Sequence, residues 1–375
     1  MSSPRFSLFA VVLLSMGLGS CSSKKSEASA LEVSSILVQS EDGSGAPVQY
    51  DANSLSYEVR ATFSARGTLP SGGLQPLERG VDYSIELFLD GEPIDSESLI
   101  SEADLNSDLY YSLVLDASYS MVIDHSPPAF EPMLGAARSN LERAISRWTE
   151  REGSTIYYSW VWFDDYIFDP YSSSHYEPAN ISRIPTPEGG NFTRLFGAVD
   201  FMIDRHIDAF RSGKANGPND RHVMIVFTDG QDNRSHIVGS QVKQYQSTPF
   251  PHEKIRPTNA VTGVGDLEAR LATEPGLNLT VHTIGLGSTR IDDSALNEST
   301  GIASLGRNGV YVKRPNTGDL KDLFEEVNRQ VLSIEVVGAR LPSLISGQAF
   351  SFKIRVRSLA NESVFGDLDL QLTAP

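Results

Sequence analysis

The amino-acid sequence predicts an α/β fold: a doubly wound, mostly parallel sheet with helices on both faces, together with a β-sandwich domain from the flanking segments. Three observations predict this fold. Apolar strands alternate with helices over residues 109–330, which is typical of a doubly wound sheet. Residues 222–227 are apolar on both faces after the first residue, as a central parallel strand must be. The flanking segments alternate apolar and polar residues, which indicates strands with one buried face.

The chain begins with a segment typical of a secretion signal, residues 1–21. Arg5 precedes an apolar run over residues 6–18, which is too short for a transmembrane helix because such helices need about 20 apolar residues. Residues 18–21 (LGSC) resemble the bacterial lipobox, in which the cysteine becomes acylated and N-terminal. The alternative is an ordinary secretory signal with an incidental cysteine. Cys21 is the only cysteine, so we expect it to be the lipid anchor of a mature chain without disulfides.

The remaining sequence is long enough for two or three domains. The formal net charge of the whole chain is −17 at pH 7, which argues against nucleic acid and anionic lipid surfaces as partners and favours cation binding. Residues 22–33 follow the signal and are predicted to form a flexible tether, because they begin with small and polar residues. We therefore expect membrane contact through the lipid anchor only.

Residues 34–104 and 333–375 are predicted to be rich in β-structure. In the first segment Tyr57, Val59 and Phe63 belong to a period-two pattern, and in the second Phe350 and Ile354 do. A tail of about 40 residues is marginal as an independent domain. We therefore expect the two segments to form one β-sandwich into which the α/β domain, residues 105–332, is inserted. Two separate β-modules are the alternative, and the sequence does not decide between them.

The α/β domain contains predicted strands and helices in alternation. The predicted strands cover residues 109–115, 155–163, 222–227, 279–284 and 309–312. The predicted helices cover residues 133–151, 195–210, 266–273, 293–300 and 317–332.

Oxygen-bearing side chains follow the predicted strands where ligands bind in such sheets, at the carboxyl ends. Asp116, Ser118 and Ser120 follow the first strand, Thr193 lies in a glycine-containing loop that opens a helix, and Asp229 follows the central strand. Adjacent strands lie about 4.8 Å apart, so these loops can meet around one small ion. Hydroxyls, carboxylates and water suit Mg²⁺ or Mn²⁺ and disfavour zinc and copper. The alternative is a network that only caps the following helix.

At these residues the chain resembles the von Willebrand factor A family, including integrin inserted domains, and its metal ion-dependent adhesion site. The resemblance covers about residues 105–332. It implies that Ser118, Ser120 and Thr193 bind the metal through their hydroxyls, with Asp116 and Asp229 in supporting positions and acting largely through water. Because few charged oxygens then touch the ion, a carboxylate from a partner's Asp or Glu can complete its shell. Mg²⁺ is the expected cofactor, with Mn²⁺ and Ca²⁺ as alternatives.

Two long loops are expected near the metal face, residues 164–190 and residues 231–262. The first carries Phe168, Tyr171 and Tyr176 among several aromatic residues. Aromatic residues on loops often anchor interfaces with partners. The same side chains can instead pack the loop onto the domain, and the sequence leaves both interpretations open.

The sequence contains no recognised catalytic signature, so we do not expect an enzyme. For example, Arg256 stands where a zincin would need its second histidine, and no histidine is placed by sequence to activate Ser118. The expected function is a metal-dependent protein-binding or adhesion module anchored on the bacterial cell envelope. The alternative is an accessory or assembly subunit of a membrane enzyme or transport complex. Ser22, rather than Asp, follows the cysteine, which favours the outer membrane over the inner one.

Overall fold

The computed structural model describes residues 30–37, 48–51, 55–68, 74–77, 79, 82–100, 107–123, 128–150, 153–185, 192–217, 220–239, 242–245, 251–287, 291–306, 309–314, 320–332, 334–342 and 344–375. The predicted signal, its Cys21 and residues 22–29 of the predicted tether lie outside these ranges. Within them, no helix is both long enough and apolar enough to cross a membrane.

The strands and helices have the following bounds. The first strands are β1 (Ala30–Leu37), β2 (Val48–Asp51), β3 (Ser56–Thr68), β4 (Leu74–Pro76), β5 (Tyr83–Leu89) and β6 (Glu92–Pro93). The α/β part contains β7 (Leu109–Asp116), β8 (Ile156–Phe163), β9 (Ile167–Asp169), β10 (Arg221–Thr228), β11 (Val242–Tyr245), β12 (His252–Ile255), β13 (Leu279–Leu286) and β14 (Tyr311–Arg314). The last strands are β15 (Ile334–Leu341), β16 (Ala349–Ser358) and β17 (Phe365–Thr373). The helices are α1 (Tyr119–Ile123), α2 (Phe130–Thr149), α3 (Pro178–Ile181), α4 (Leu195–Arg211), α5 (Val264–Leu271), α6 (Asp293–Leu296) and α7 (Leu320–Leu332).

The central sheet has the strand order β11-β12-β9-β8-β7-β10-β13-β14. Strands β8, β7, β10, β13 and β14 run parallel, whereas β9, β12 and β11 continue the sheet in antiparallel pairs. Helices cover both faces, with Leu141 of α2 and Val327 of α7 in one core and Ile203 of α4 and Leu267 of α5 in the other. The predicted doubly wound, mostly parallel α/β sheet is confirmed.

The flanking segments form two further sheets that share one core. The first has the order β1-β3-β15, with β2 and β4 also paired to β3, and the second has the order β17-β16-β5-β6. Val59 pairs with Ala339, and Ile85 pairs with Val356, so each sheet combines strands from before and after the α/β part. Side chains of both sheets meet in a single core. The β-sandwich built from the flanking segments is thus confirmed, and the exact domain bounds stay a prediction.

Several predicted elements differ from the structure. Strand β1 begins at Ala30, because Ala30 pairs with Thr68 of β3, so residues 30–33 belong to a strand rather than to the tether. The helix predicted over residues 293–300 ends at Leu296. There the side chain of Asn297 accepts hydrogen bonds from the backbone N–H groups of Ser299 and Thr300 at 2.9 and 2.8 Å, and this local turn replaces the helix.

Parts of the two predicted loops, residues 164–190 and 231–262, are strands and extend the sheet beyond β8. Ile167 of β9 pairs with Phe163 of β8 on one side and with Ile255 of β12 on the other. These strands are only three or four residues long, so their pattern is too short to recognise in the sequence. Pairing with β8 stabilises them in place.

A buried chain of hydrogen bonds joins β7, α4 and β10 on one face of the sheet. Ser112 Oγ lies 2.7 Å from His206 Nε2, His206 Nδ1 lies 2.9 Å from His222 Nδ1, and His222 Nε2 lies 2.9 Å from the carbonyl oxygen of Ala215. A carbonyl can only accept, so His222 Nε2 donates to it, His206 Nδ1 donates to His222, and Ser112 donates to His206. Burial lowers the pKa of both imidazoles, so each is neutral, and these hydrogen bonds hold each as one tautomer.

This arrangement predicts that His222 makes the stability depend on pH. Burial lowers the pKa of His222 to about 4, whereas an unfolded histidine titrates near 6.5. The contribution of the neutral imidazole is therefore complete above pH 6.5 and is lost as the pH falls toward 4, because the unfolded chain then binds a proton that the fold rejects. We expect the stability difference between the wild type and His222→Gln to shrink by about 2 kcal/mol between pH 7 and pH 5.

Urea unfolding of both proteins at pH 5, 6, 7 and 8 measures this difference. Burial also raises the pKa of Asp164 and of Asp169 to about 6, which stabilises the fold at low pH. That effect is common to both proteins and cancels in the comparison. A stability difference that stays constant over this pH range would show that His222 does not carry the effect.

Candidate metal centre

Strand β7 ends at Asp116 and helix α1 begins at Tyr119, so the first motif lies in a turn at the carboxyl edge of the sheet. The Asp116 side chain is fully buried. Its Oδ1 accepts a hydrogen bond from the backbone N–H of Ser118 at 2.8 Å, and its Oδ2 accepts one from the hydroxyl of Thr228 at 2.6 Å. Asp116 thereby ties the turn after β7 to the end of β10.

Hydroxyl and carboxylate oxygens meet directly above this turn. Ser118 Oγ lies 2.9 Å from Ser120 Oγ, and the Ser120 hydroxyl donates to Asp229 Oδ1 at 2.8 Å. Ser118 and Asp229 are only 2% and 5% exposed, whereas Ser120 is half-buried. Oxygens from two neighbouring strand ends are thus in contact, and Ser120 lies on the solvent side.

Thr193 lies beside this group. Thr193 is buried. Its Oγ1 lies next to Gly230, the residue after Asp229, because a Cβ placed on Gly230 would be 3.4 Å from this oxygen. Its backbone N–H donates to Asn233 Oδ1 at 2.9 Å, and its carbonyl accepts from the backbone N–H of Asn233 at 3.0 Å. The structure therefore joins Asp116, Ser118, Ser120 and Asp229 by hydrogen bonds and holds the Thr193 hydroxyl against Gly230.

The loop after β10 also caps helix α4, which begins directly after Thr193 and Arg194. The first N–H groups of a helix lack partners within the helix, and the Arg194 side chain supplies none. Instead, the N–H of Phe196 donates to Asp232 Oδ2 at 2.8 Å and that of Gly197 donates to Ser235 Oγ at 2.7 Å. The cap fixes the helix start, and with it the position of Thr193.

The Arg194 side chain also stabilises the contact between the start of α4 and its neighbouring loops. Its side chain is completely buried. Nε donates to the carbonyl of Asp165 and Nη1 donates to the carbonyl of Ile237, both at 2.8 Å. A buried guanidinium that satisfies two loop carbonyls joins the segment after β8, the start of α4 and the loop after β10.

Asp232, Asn233, Ser235 and Arg194 were not predicted from the sequence. The signal was present in the run 232–235 (DNRS), which follows Asp229 closely and contains residue types that cap helices. In the sequence this run is typical of a polar loop, because a cap normally comes from the residue preceding its own helix. Here the cap and the helix lie more than 30 positions apart.

The electrostatics of the group favour a bound cation. Burial and the neighbouring Asp229 carboxylate raise the pKa of Asp116 to about 7, against the lowering effect of its hydrogen bonds from Ser118 and Thr228. Two carboxylates held together in a buried place repel each other unless positive charge lies between them. A divalent cation would supply that charge, so the residues present fit one.

The donor set defines which cation fits. Within the described ranges, no group of three or more His, Cys, Asp or Glu side chains is placed to hold a metal. The candidate centre is of a different kind, because its hydroxyls outnumber its carboxylates. An all-oxygen set of this type suits Mg²⁺, Mn²⁺ or Ca²⁺ rather than zinc.

The aromatic residues of segment 164–190 fall into two groups. Phe168 stacks on Trp162 with ring centroids 5.2 Å apart, and the Tyr176 hydroxyl donates to the buried Asp169 at 2.8 Å. These two side chains pack the segment onto the sheet. Tyr171 is 37% exposed, so it is free to contact solvent or a partner.

No family model matches the chain, and no curated protein matches it. Solved structures do match. Proximal thread matrix protein 1 from the mussel byssus, with a zinc-occupied MIDAS motif, is 12% identical over 60% of this chain and 48% of that chain, with a TM-score of 0.39. The chain thus spans about half the length of the mussel protein.

Two further matches cover nearly all of the other chain. The vWF domain of the type V pili tip protein Mfa5 from Porphyromonas gingivalis is 11% identical over 60% of this chain and 95% of that chain, with a TM-score of 0.38. The manganese-loaded TRAP protein of Plasmodium vivax is 13% identical over 78% of this chain and 98% of that chain, with a TM-score of 0.36.

Proposed function

We propose that this chain is a protein-binding or adhesion module of the von Willebrand factor A type that uses one divalent cation to bind a partner's carboxylate. Ser118, Ser120 and Thr193 would hold the cation through their hydroxyls, with Asp116 and Asp229 in support. The observation that carries this proposal is the contact chain from Ser118 through Ser120 to Asp229 at the carboxyl edge of the sheet.

The balance of neutral and charged oxygens explains how such a centre would bind. Hydroxyls hold a cation without neutralising its charge. Both carboxylate oxygens of Asp116 already accept hydrogen bonds, from Ser118 and Thr228. When bound, the cation supplies positive charge that attracts an anionic oxygen from outside the chain. Mg²⁺ is the cation we propose, because it favours a small, six-coordinate set of oxygen ligands.

The same geometry supports binding rather than catalysis. The Ser118 hydroxyl contacts that of Ser120, whereas a serine nucleophile needs a base such as histidine within hydrogen-bond reach. The Ser112–His206 pair has that contact, but both side chains are fully buried and cannot meet a substrate. We therefore propose that the chain is not an enzyme.

We further propose that Cys21 anchors the chain to the bacterial cell envelope, with the outer membrane favoured. The support is the lipobox-like segment 18–21 and its single cysteine. Incorporation of labelled palmitate into the wild type, and its loss in Cys21→Ser, tests the anchor. Equal incorporation in both proteins would refute it.

Retention of envelope proteins on the immobilised chain tests the proposed function. The chain from Ser22 onward is exposed to a detergent extract of the bacterial envelope in Mg²⁺ or in EDTA, with Asp229→Ala as the matched variant. We expect a partner retained in Mg²⁺, released by EDTA and absent from Asp229→Ala. A peptide containing Asp should compete with this partner, and the same peptide with Asn should not.

The identity of the retained protein distinguishes the two functional classes. A single extracellular or surface ligand indicates adhesion, and a stable membrane complex indicates an accessory subunit. Retention that persists in EDTA, or that is equal in Asp229→Ala, would contradict the cation mechanism.

A further inference from the structure

An aromatic ring and an arginine lie beside Thr193 of the candidate metal centre. Thr193 and Asn233 are joined by two hydrogen bonds, and their neighbours Phe192 and Arg234 stack, with the guanidinium 3.4 Å from the ring centroid. Phe192 is 38% exposed. A cation over an aromatic face is attracted to it, so Phe192 helps to hold Arg234 beside Thr193.

Arg234 belongs to an arginine cluster around one carboxylate. Asp165 lies 3.0 Å from Arg234 Nε, 2.9 Å from Arg256 Nη2 and 4.0 Å from Arg194 Nη2. Asp232 is another acid near this cluster, and it accepts hydrogen bonds from the serine and backbone groups of the helix cap. Three guanidinium groups share Asp165 as an ion-pair partner, so Asp165 alone does not neutralise the cluster.

The terminal nitrogens of Arg234 are the donors that remain. Its Nε is buried 3.0 Å from Asp165 in an ion pair that lacks hydrogen-bond geometry, and among the described residues none accepts a hydrogen bond from its Nη1 or Nη2. The side chain is 25% exposed. A planar pair of N–H donors in this state matches the two oxygens of a carboxylate.

We propose that Arg234 is a second anion-binding subsite beside the cation, and that the partner is an acidic protein segment presenting two carboxylates. This inference rests on the proposed function, which places the first carboxylate at the cation. Arg234 binds the second. Arg234 follows Asn233, which is hydrogen-bonded to Thr193, so we expect the two acids to lie a few positions apart in an extended segment.

Synthetic peptides of defined sequence test this subsite. Gly-Ser peptides carrying one Asp, or two Asp separated by increasing numbers of residues, are immobilised and exposed to the chain in Mg²⁺ or EDTA. The proteins compared are the wild type, Arg234→Gln, Asp229→Ala and the control Arg138→Gln, which removes an exposed arginine of α2. Melting temperatures confirm that each variant is folded.

In Mg²⁺ we expect the best two-Asp peptide to bind the wild type about fivefold more tightly than the one-Asp peptide, the range of a solvent-exposed charged hydrogen bond. Arg234→Gln should lose this gain and keep wild-type affinity for the one-Asp peptide, whereas Arg138→Gln should behave as the wild type does. Arg234→Lys should regain only part of the gain, because it restores the charge without the planar fork.

The outcomes separate the two claims. If Arg234→Gln keeps the fivefold gain while binding still requires Mg²⁺ and Asp229, the subsite is wrong and the proposed function stands. If binding is unchanged by EDTA and by Asp229→Ala but is weaker in Arg234→Gln, the proposed function is wrong and Arg234 binds anions without the cation. If no peptide binds the wild type, both are refuted.

Discussion

Mg²⁺ is expected to stabilise the wild-type chain against unfolding and to leave Asp229→Ala unchanged. A ligand that binds only the folded state at one hundred times its Kd stabilises that state by about 2.7 kcal/mol. Asp229 accepts a hydrogen bond from the Ser120 hydroxyl at 2.8 Å. The alanine variant therefore loses the carboxylate and also the hydrogen bond that orients the Ser120 hydroxyl. Thermal or urea unfolding with and without Mg²⁺ measures the effect.

The same experiment has an internal check. Without Mg²⁺, removal of the Asp229 charge should not destabilise the fold. The Asp229 carboxylate raises the pKa of the buried Asp116 and therefore disfavours the charged form of Asp116. The control is Asp208→Ala, an exposed acid of α4, which should keep the full Mg²⁺ effect. Equal stabilisation of Asp229→Ala and the wild type would show that the cation binds elsewhere.

The second large effect is expected for Arg194→Ala, at about 3 kcal/mol of lost stability. The substitution removes a completely buried guanidinium and leaves the carbonyls of Asp165 and Ile237 without their donors, and each such loss costs about 1–3 kcal/mol. Breaking a buried charge cluster is destabilising for the same reason. Denaturant unfolding measures the loss.

Arg211→Ala is the matched control on the same helix. Its side chain is 56% exposed and pairs with Glu274, so its loss should change the stability by less than about 1 kcal/mol. If Arg194→Ala lost no more stability than Arg211→Ala, the contact between the start of α4 and its neighbouring loops would not depend on Arg194.

The elements that the sequence predicted best are those whose own residues decide them. Strands β7, β10 and β13 are eight residues long and buried along their whole length, so their apolar runs are visible locally. Strand β9 has three residues and exists because β8 and β12 pair with it. Such a strand is fixed by its neighbours, which one segment of sequence does not reveal.

The residues of the candidate centre also differ in how far their own sequence segment predicts them. Asp116, Ser118 and Ser120 were predicted because they share one turn, and Asp229 because it follows a central strand. The residues that position Thr193 were missed, since Asp232 and Asn233 act on a helix start about 40 positions earlier in the chain. A cap supplied by another loop is a tertiary contact, and its residue types alone look like an ordinary polar turn.

The most direct test of the cation centre is a crystal structure of the chain grown with Mn²⁺, whose anomalous scattering locates the ion. The proposed function predicts one Mn²⁺ bound by the hydroxyl oxygens of Ser118, Ser120 and Thr193, with Asp116 and Asp229 in supporting positions. An ordered crystal at saturating Mn²⁺ with no anomalous peak among these residues would contradict it.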